Sequence, residues 1–60
     1  MSLYIVRVYE GGDVLEYEYG NLASAKNHIA IEKAMCMLTE YVNGTEYLIE
    51  CKAERGVNND

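Results

Sequence analysis

The segment LYIVRVYEGGDVLEYEY, residues 3–19, predicts a β-hairpin, and the rest of the fold is built around it. Its first half is rich in β-branched and aromatic residues, and its second half alternates apolar and polar residues. Gly11 and Gly12 lie between the halves. A Gly-Gly pair favours a two-residue hairpin turn, because such turns need positive φ at both central positions. We therefore expect the two halves to pair as antiparallel strands.

A turn at Gly11-Gly12 also predicts the register of the two strands. Six side chains then share one face of the hairpin: Tyr4, Val6, Val8, Leu15, Tyr17 and Tyr19. Arg7 falls opposite Glu16 on the other face, where opposite charges form a favourable cross-strand pair. A shift of one residue would move every side chain to the other face, so the pattern specifies this register.

The remainder of the chain predicts a ββαβ fold of the α+β class, in one small domain spanning residues 1–60. Asn21 is suited to cap a helix that we expect at residues 22–42, and Asn43-Gly44 is suited to end it. Residues 45–53 alternate as a third strand, and residues 54–60 form a polar tail that we expect to be frayed. We expect a mainly antiparallel sheet in the order 2-1-3, with the helix on one face. A parallel crossover that places strand three beside strand two is the alternative.

Composition limits the possible functions. Ten acids against five basic residues give a net charge of −5, which disfavours general nucleic-acid binding, where phosphate contacts dominate. No apolar run approaches the roughly 18 residues of a membrane span, so we expect a cytoplasmic protein with no membrane partner. Cys36 and Cys51 have no secreted-type spacing, and we expect both to be reduced and buried.

The predicted elements leave more apolar surface than one sheet and one helix can cover. On the outer face of the sheet, apolar and charged side chains lie together: Leu3, Ile5, Arg7, Tyr9, Glu16, Glu18 and Leu48, with Val14, Glu50 and Lys52. On the predicted helix, Ile29 and Cys36 fall on the polar side, which a surface helix keeps hydrophilic. Apolar patches rimmed by charge mark interaction surfaces, so we expect a homo-oligomer. Pairing of edge strands and packing of helices are the two alternatives for the contact between its subunits.

Glu10 and Asp13 flank the glycine turn and are the candidates for catalysis and metal binding. A carboxylate pair can hold Mg²⁺ or Mn²⁺, and such an ion can activate water for phosphodiester cleavage. One hairpin supplies few ligands, so this site needs an oligomer that brings the hairpin turns of several chains together. The same residues are also ordinary turn residues. His28 has no visible partner or cleft, and we expect it to be a solvated helix residue.

Two stretches, YIVRVYEGG at residues 4–12 and GNLASAKNHIAIEKAM at residues 20–35, carry a resemblance to known proteins. They resemble small orphan proteins carried by prophages of gut Clostridia and their relatives. Some small proteins from that setting counter CRISPR defence, and one anti-Cas9 group is linked to nicking of supercoiled DNA. The resemblance implies a counter-defence role in a bacterial host cell and makes Asp13 the residue to test.

Three functions follow as hypotheses. The first is a small acidic homo-oligomer of phage or mobile-element type that acts in counter-defence through macromolecular interaction. Its partners would be itself and Cas9 or another nucleic-acid-binding protein, or DNA. The second is a metal-dependent DNA-nicking endonuclease that uses clustered hairpin-tip carboxylates. The third is an oligomerisation module without catalysis.

Overall fold

The computed structural model describes residues 2–53, which form two β-hairpins joined by one helix. The elements are β1 (Ser2–Glu10), β2 (Asp13–Tyr19), α1 (Leu22–Ile31), β3 (Met35–Val42) and β4 (Thr45–Lys52). The four strands form one antiparallel sheet in the order β2-β1-β3-β4. The predicted α+β class is confirmed. The predicted tail at residues 54–60 lies outside the described residues.

The first hairpin has the predicted register. Tyr4 pairs with Tyr19 and Arg7 pairs with Glu16, as the glycine turn requires. Gly11 and Gly12 have φ of 57° and 88°. Glycine reaches this region without the clash that a Cβ atom causes, so local sequence alone explains the turn.

The predicted helix at residues 22–42 is wrong beyond residue 31. α1 begins after Asn21, whose side chain accepts a hydrogen bond from the Ser24 N–H at 2.8 Å. It ends at Ile31, because Glu32 has an extended backbone with φ −74° and ψ 135°. Residues 35–42 pair with β1 instead, and in that strand Cys36 and Leu38 both reach the core. Apolar residues in this segment fit a helix and a strand equally well, and the unpaired edge of β1 favours the strand.

The predicted three-stranded sheet in the order 2-1-3 is also wrong, because β4 pairs with β3 and not with β1. The parallel crossover is excluded too, since every neighbouring pair of strands is antiparallel. Asn43 and Gly44, with φ of 49° and 81°, form the turn of a second hairpin and do not end a helix. Asn-Gly is a strong signal for such a turn, so both hairpins use the same backbone conformation.

A β-bulge in β4 changes the face of the sheet on which its later side chains lie. Leu38 pairs with Glu50 whereas Thr39 pairs with Leu48, so Ile49 is an extra residue in β4. Beyond the bulge, Glu50 and Lys52 lie on the helix side of the sheet, which corrects their predicted place on the outer face.

The core lies between α1 and the two central strands. Its buried residues are Val6, Val8, Ala25, Ile29, Ala34, Cys36 and Leu38, with Tyr4 and Tyr19 packed at the edge. Ile29 and Cys36, which we predicted on an interaction surface, are 3% and 0% exposed and therefore lie in this core. Cys36 faces the helix because its segment is a strand and pairs with Val8. None of the helices in residues 2–53 has the length and apolarity that crossing a membrane requires.

Candidate interaction face and a histidine-centred cleft

The face of the sheet opposite α1, called the outer face below, is covered by no element within residues 2–53. Leu48 and Val14 are its most exposed apolar side chains, at 59% and 51%. The register places eight large apolar side chains on it: Leu3, Ile5, Tyr9, Val14, Met35, Met37, Tyr41 and Leu48. Sequence reasoning placed Leu3, Ile5, Tyr9, Val14 and Leu48 there correctly. It missed the three from β3, because it assigned them to the helix.

The outer face is about as large as the apolar patches that proteins commonly use for binding. Four strands about 4.8 Å apart, each with about eight residues rising about 3.3 Å, span roughly 19 by 26 Å. The planar footprint of the whole face, charged side chains included, is about 500 Å², of the same order as the largest apolar patch on a typical monomer, about 300 to 600 Å². Such a patch is commonly functional, so the outer face is the first candidate for binding.

Arg7 lies in the outer face and binds two carboxylates. Its Nε donates to Glu16 Oε2 and its Nη1 donates to Glu46 Oε2, both at 2.7 Å. Thr39, which is 6% exposed, donates its hydroxyl to the same Glu46 oxygen at 3.0 Å. The hydrogen bond from Arg7, and then the one from Thr39, hold the pKa of the Glu46 carboxyl below its ordinary value. The bonds to Glu16 and Glu46 raise the pKa of Arg7 in turn. A partner covering this network would therefore leave its charges paired.

Glu10 and Asp13, the predicted catalytic and metal-binding pair, face each other across the first turn and are both exposed. Within residues 2–53 no third His, Cys, Asp or Glu joins them in a group that could hold a metal ion. The described part of one chain thus brings together two carboxylates, which do not make a complete metal site. The Mg²⁺ or Mn²⁺ site and the nicking activity stay predictions that depend on assembly.

Glu18, on the outer face beside Ile5, adds to the acidity of this hairpin. None of the cations in residues 2–53 forms an ion pair with Glu10, Asp13 or Glu18. Glu16 is the only acid of β2 that one of those cations pairs with, through Arg7. The hairpin therefore presents uncompensated negative charge next to the outer face.

Sequence reasoning missed a polar cluster around His28. The Tyr19 hydroxyl lies 2.6 Å from His28 Nδ1, and His28 Nε2 lies 3.2 Å from Glu32 Oε2. The Tyr17 ring packs edge-on against the imidazole, with 4.6 Å between the ring centroids. The side chain of His28 is only 14% exposed, so it is not the solvated residue that we expected. Glu32 follows His28 by four residues, a spacing that brings two side chains together on a helix, so the sequence could have indicated this contact. The Tyr19 contact depends on how α1 packs on the sheet.

A cleft of about 390 Å³ opens beside this cluster. It is lined by Tyr19, Ser24, Asn27, His28 and Ile31. Behind it, the hydrogen bond from His28, and then those from the backbone N–H groups of Ala34 and Lys33, lower the pKa of the Glu32 carboxyl, although partial burial opposes them. Glu32 is therefore held in its ionised form.

Within residues 2–53, the fold and these surfaces define a small α+β protein with an uncovered sheet face and a polar cleft. No protein-family model matches the chain, and neither a curated protein nor a solved structure matches it.

Proposed function

We propose that this protein acts by macromolecular interaction, as a homodimer built on the outer face, in the counter-defence role that the prophage-protein resemblance implies. The observation that carries the proposal is the outer face itself. It combines eight large apolar side chains with central charges that are already paired to one another.

A second copy of this chain suits the outer face for two reasons. A symmetric dimer places the same patch against itself. The outer face suits this arrangement because it is largely apolar and Arg7, Glu16 and Glu46 are paired with one another, which leaves Glu18 as its unpaired acid among the described residues. A standard interface buries about 800 Å² on each partner. That is about a fifth of the 4069 Å² of accessible surface, so a contact of this size would need most of the outer face.

Size supports the same proposal. A domain of 60 residues has a small core and is marginally stable alone, and association is one of the usual ways to add buried apolar area. Packing two sheets on their outer faces would double the number of layers and leave both α1 helices on the outside. The acidic hairpin residues at the turn would stay accessible in that arrangement.

The partner of the dimer is proposed to be a nucleic-acid-binding protein such as Cas9. The support is the uncompensated charge of Glu10 and Asp13 at the turn of the first hairpin, outside the proposed dimer contact. A basic groove that accepts phosphates attracts such a surface, and the complementary field accelerates the encounter.

Sedimentation at micromolar concentration tests the dimer. Two adjacent residues of β4 provide a matched pair, because Leu48 lies on the outer face and Tyr47 on the helix side, at 59% and 56% exposure. We expect a wild-type dimer that Leu48→Lys dissociates and Tyr47→Lys leaves intact. A monomeric wild type, or dissociation by Tyr47→Lys alone, would show that the outer face is not the contact.

Binding to Cas9, measured at low and high salt, tests the partner. The double variant Glu10→Gln, Asp13→Asn should bind more weakly and with less salt dependence, since it lacks the attracting charges. Equal binding by the double variant and the wild type would contradict the electrostatic argument. Incubation with supercoiled plasmid, with Mg²⁺ or with EDTA, separates this function from nicking. Relaxation that needs Mg²⁺ and is lost in Asp13→Ala would favour the endonuclease.

A further inference from the structure

We propose that Tyr19, His28 and Glu32 form an acyl-transfer site in which the Tyr19 hydroxyl is the nucleophile and small neutral esters are the substrates. These residues lie on the helix side of the sheet, so the proposal is independent of the outer face and of the proposed dimer. It rests on two contacts, Tyr19 Oη to His28 Nδ1 and His28 Nε2 to Glu32 Oε2.

The two contacts assign a role to each group. An ionised carboxylate can only accept hydrogen bonds, so Glu32 fixes the imidazole proton on Nε2. The lone pair of Nδ1 then faces the Tyr19 hydroxyl at 2.6 Å and can accept its proton. A hydroxyl next to a base, with that base oriented by a third group, is the general arrangement of an activated nucleophile.

The fold presents this hydroxyl to a cleft. Tyr19 ends β2, His28 lies in α1 and Glu32 follows the last residue of α1, so three parts of the chain meet at the imidazole. The cleft volume of about 390 Å³ lies within the range of about 300 to 1,000 Å³ for small-molecule sites. Ser24 and Asn27 are among its lining residues, and a hydroxyl and an amide are groups that can stabilise a developing oxyanion. Ile31 supplies an apolar wall for the acyl group.

The charge of the cleft favours a neutral ester over a phosphate ester. None of its lining residues is a lysine or an arginine. Lys26, on the same helix, points to Glu50 with 3.7 Å between Nζ and Oε1. A phosphate group would therefore meet no cation here, whereas a neutral carbonyl needs only hydrogen-bond donors.

The proposed reaction balances as ester plus water giving acid plus alcohol. The Tyr19 oxygen bonds to the carbonyl carbon while its proton passes to His28 Nδ1. The bond from that carbon to the leaving oxygen breaks, and His28 returns the proton to the departing alcohol. Water then adds to the acyl carbon and gives a proton to His28. The bond between the acyl group and Tyr19 breaks as Tyr19 regains that proton.

The full chain with p-nitrophenyl acetate tests the proposal. We expect release of p-nitrophenol and transient addition of one acetyl group, mapped to Tyr19 by mass spectrometry of peptides. Tyr19→Phe should remove both, and His28→Gln should slow the acylation on the order of 100-fold, as loss of a general base does. Tyr17→Phe is the matched control, because its ring contacts His28 but its hydroxyl makes no hydrogen bond within residues 2–53. Acetyl groups found only on lysines or Cys51, or equal rates in Tyr19→Phe and the wild type, would overturn the proposal.

Glu32 is a positioning residue and needs a separate readout. Glu32→Gln keeps a hydrogen-bonding group but removes the carboxylate that orients the imidazole. We expect a lower kcat at an unchanged KM for p-nitrophenyl acetate, partial recovery of kcat in Glu32→Asp, and an unchanged far-ultraviolet circular dichroism spectrum. An unchanged kcat in Glu32→Gln would overturn this role. Tyr19→Phe, which removes one oxygen atom, keeps the nucleophile testable if His28→Gln fails to fold.

Discussion

The ammonium group of Lys52, in the last strand, binds the carbonyl groups at the end of α1. It donates to the Glu32 carbonyl at 2.8 Å, to the Ala30 carbonyl at 3.3 Å and to the Ile29 carbonyl. The carbonyls at the end of a helix carry partial negative charge, so a cation there is stabilising. The contact exists because the bulge at Ile49 moves Lys52 to the helix side of the sheet.

Removing this contact should destabilise the protein. We predict that Lys52→Met lowers the free energy of unfolding by about 1 to 2 kcal/mol, because it leaves charge-assisted hydrogen bonds unmade. Urea denaturation followed by circular dichroism measures the loss. Lys33→Met, at an exposed lysine just beyond α1, is the control and should change the stability little. Equal effects of the two substitutions would contradict the role of Lys52.

Acidic pH should lower the stability of the folded protein, because Glu46 on the outer face gains a proton. Its pKa in the folded protein lies below the ordinary value of 4.5, first because Arg7 hydrogen-bonds the carboxylate and then because Thr39 does. A lowered folded-state pKa gives stability that is present above the unfolded pKa and is lost as the pH falls through the folded pKa. The pKa of Glu32 is also lowered in the folded protein, since His28 hydrogen-bonds its carboxylate, so Glu32 contributes stability with the same dependence on pH.

We therefore predict that the melting temperature falls as the pH decreases below about 4.5, measured at one protein concentration. Glu46→Gln should show a smaller fall than the wild type, because its side chain no longer gains a proton. Glu10→Gln, at an exposed acid that lies outside the outer face and has no ion pair among the described residues, should keep the full fall. Identical pH curves for Glu46→Gln and the wild type would rule out this explanation.

The second hairpin turn should tolerate only glycine at residue 44. Gly44 has a φ of 81°, where an L-residue with a side chain is strained, and we predict that Gly44→Ala costs about 1 to 2 kcal/mol. Gly20→Ala is a matched control. A Cβ added at either glycine meets nothing within 4 Å, but only Gly44 has a positive φ. Thermal denaturation of both variants measures the difference, and a comparable loss in both would exclude backbone strain as its cause.

The two cysteines should react at different rates. Cys36 is 0% exposed and its burial raises the pKa of the thiol, which removes the reactive thiolate. Cys51 is exposed, which corrects the expectation that both are buried. We predict that Ellman's reagent labels one thiol rapidly in dilute native protein and the second only after unfolding. Cys51→Ser should remove the rapid phase, and a rapid phase that survives in Cys51→Ser would contradict the burial of Cys36.

The candidate surfaces were predictable only in part. The β1 and β2 residues of the outer face follow from strict alternation, which places Leu3, Ile5 and Tyr9 together once the register is known. Met35, Met37 and Tyr41 could not be placed, because they belong to a segment whose strand conformation depends on pairing with β1. The contact of Tyr19 with His28 joins β2 to α1, and no sequence spacing predicts it.

The sequence by itself determined the first hairpin. Its Gly-Gly turn and its alternation are local, and a wrong register would put tyrosines and valines in water, so no distant contact is needed to choose it. Tertiary structure decided residues 32–42, which contain good helix formers and neither glycine nor proline. The strand that Met35–Val42 form gains a ladder of hydrogen bonds on the open edge of β1 and buries Cys36 and Leu38 under α1. Those gains exist only when the hairpin and the helix are already in place, and for that reason local sequence could not reveal them.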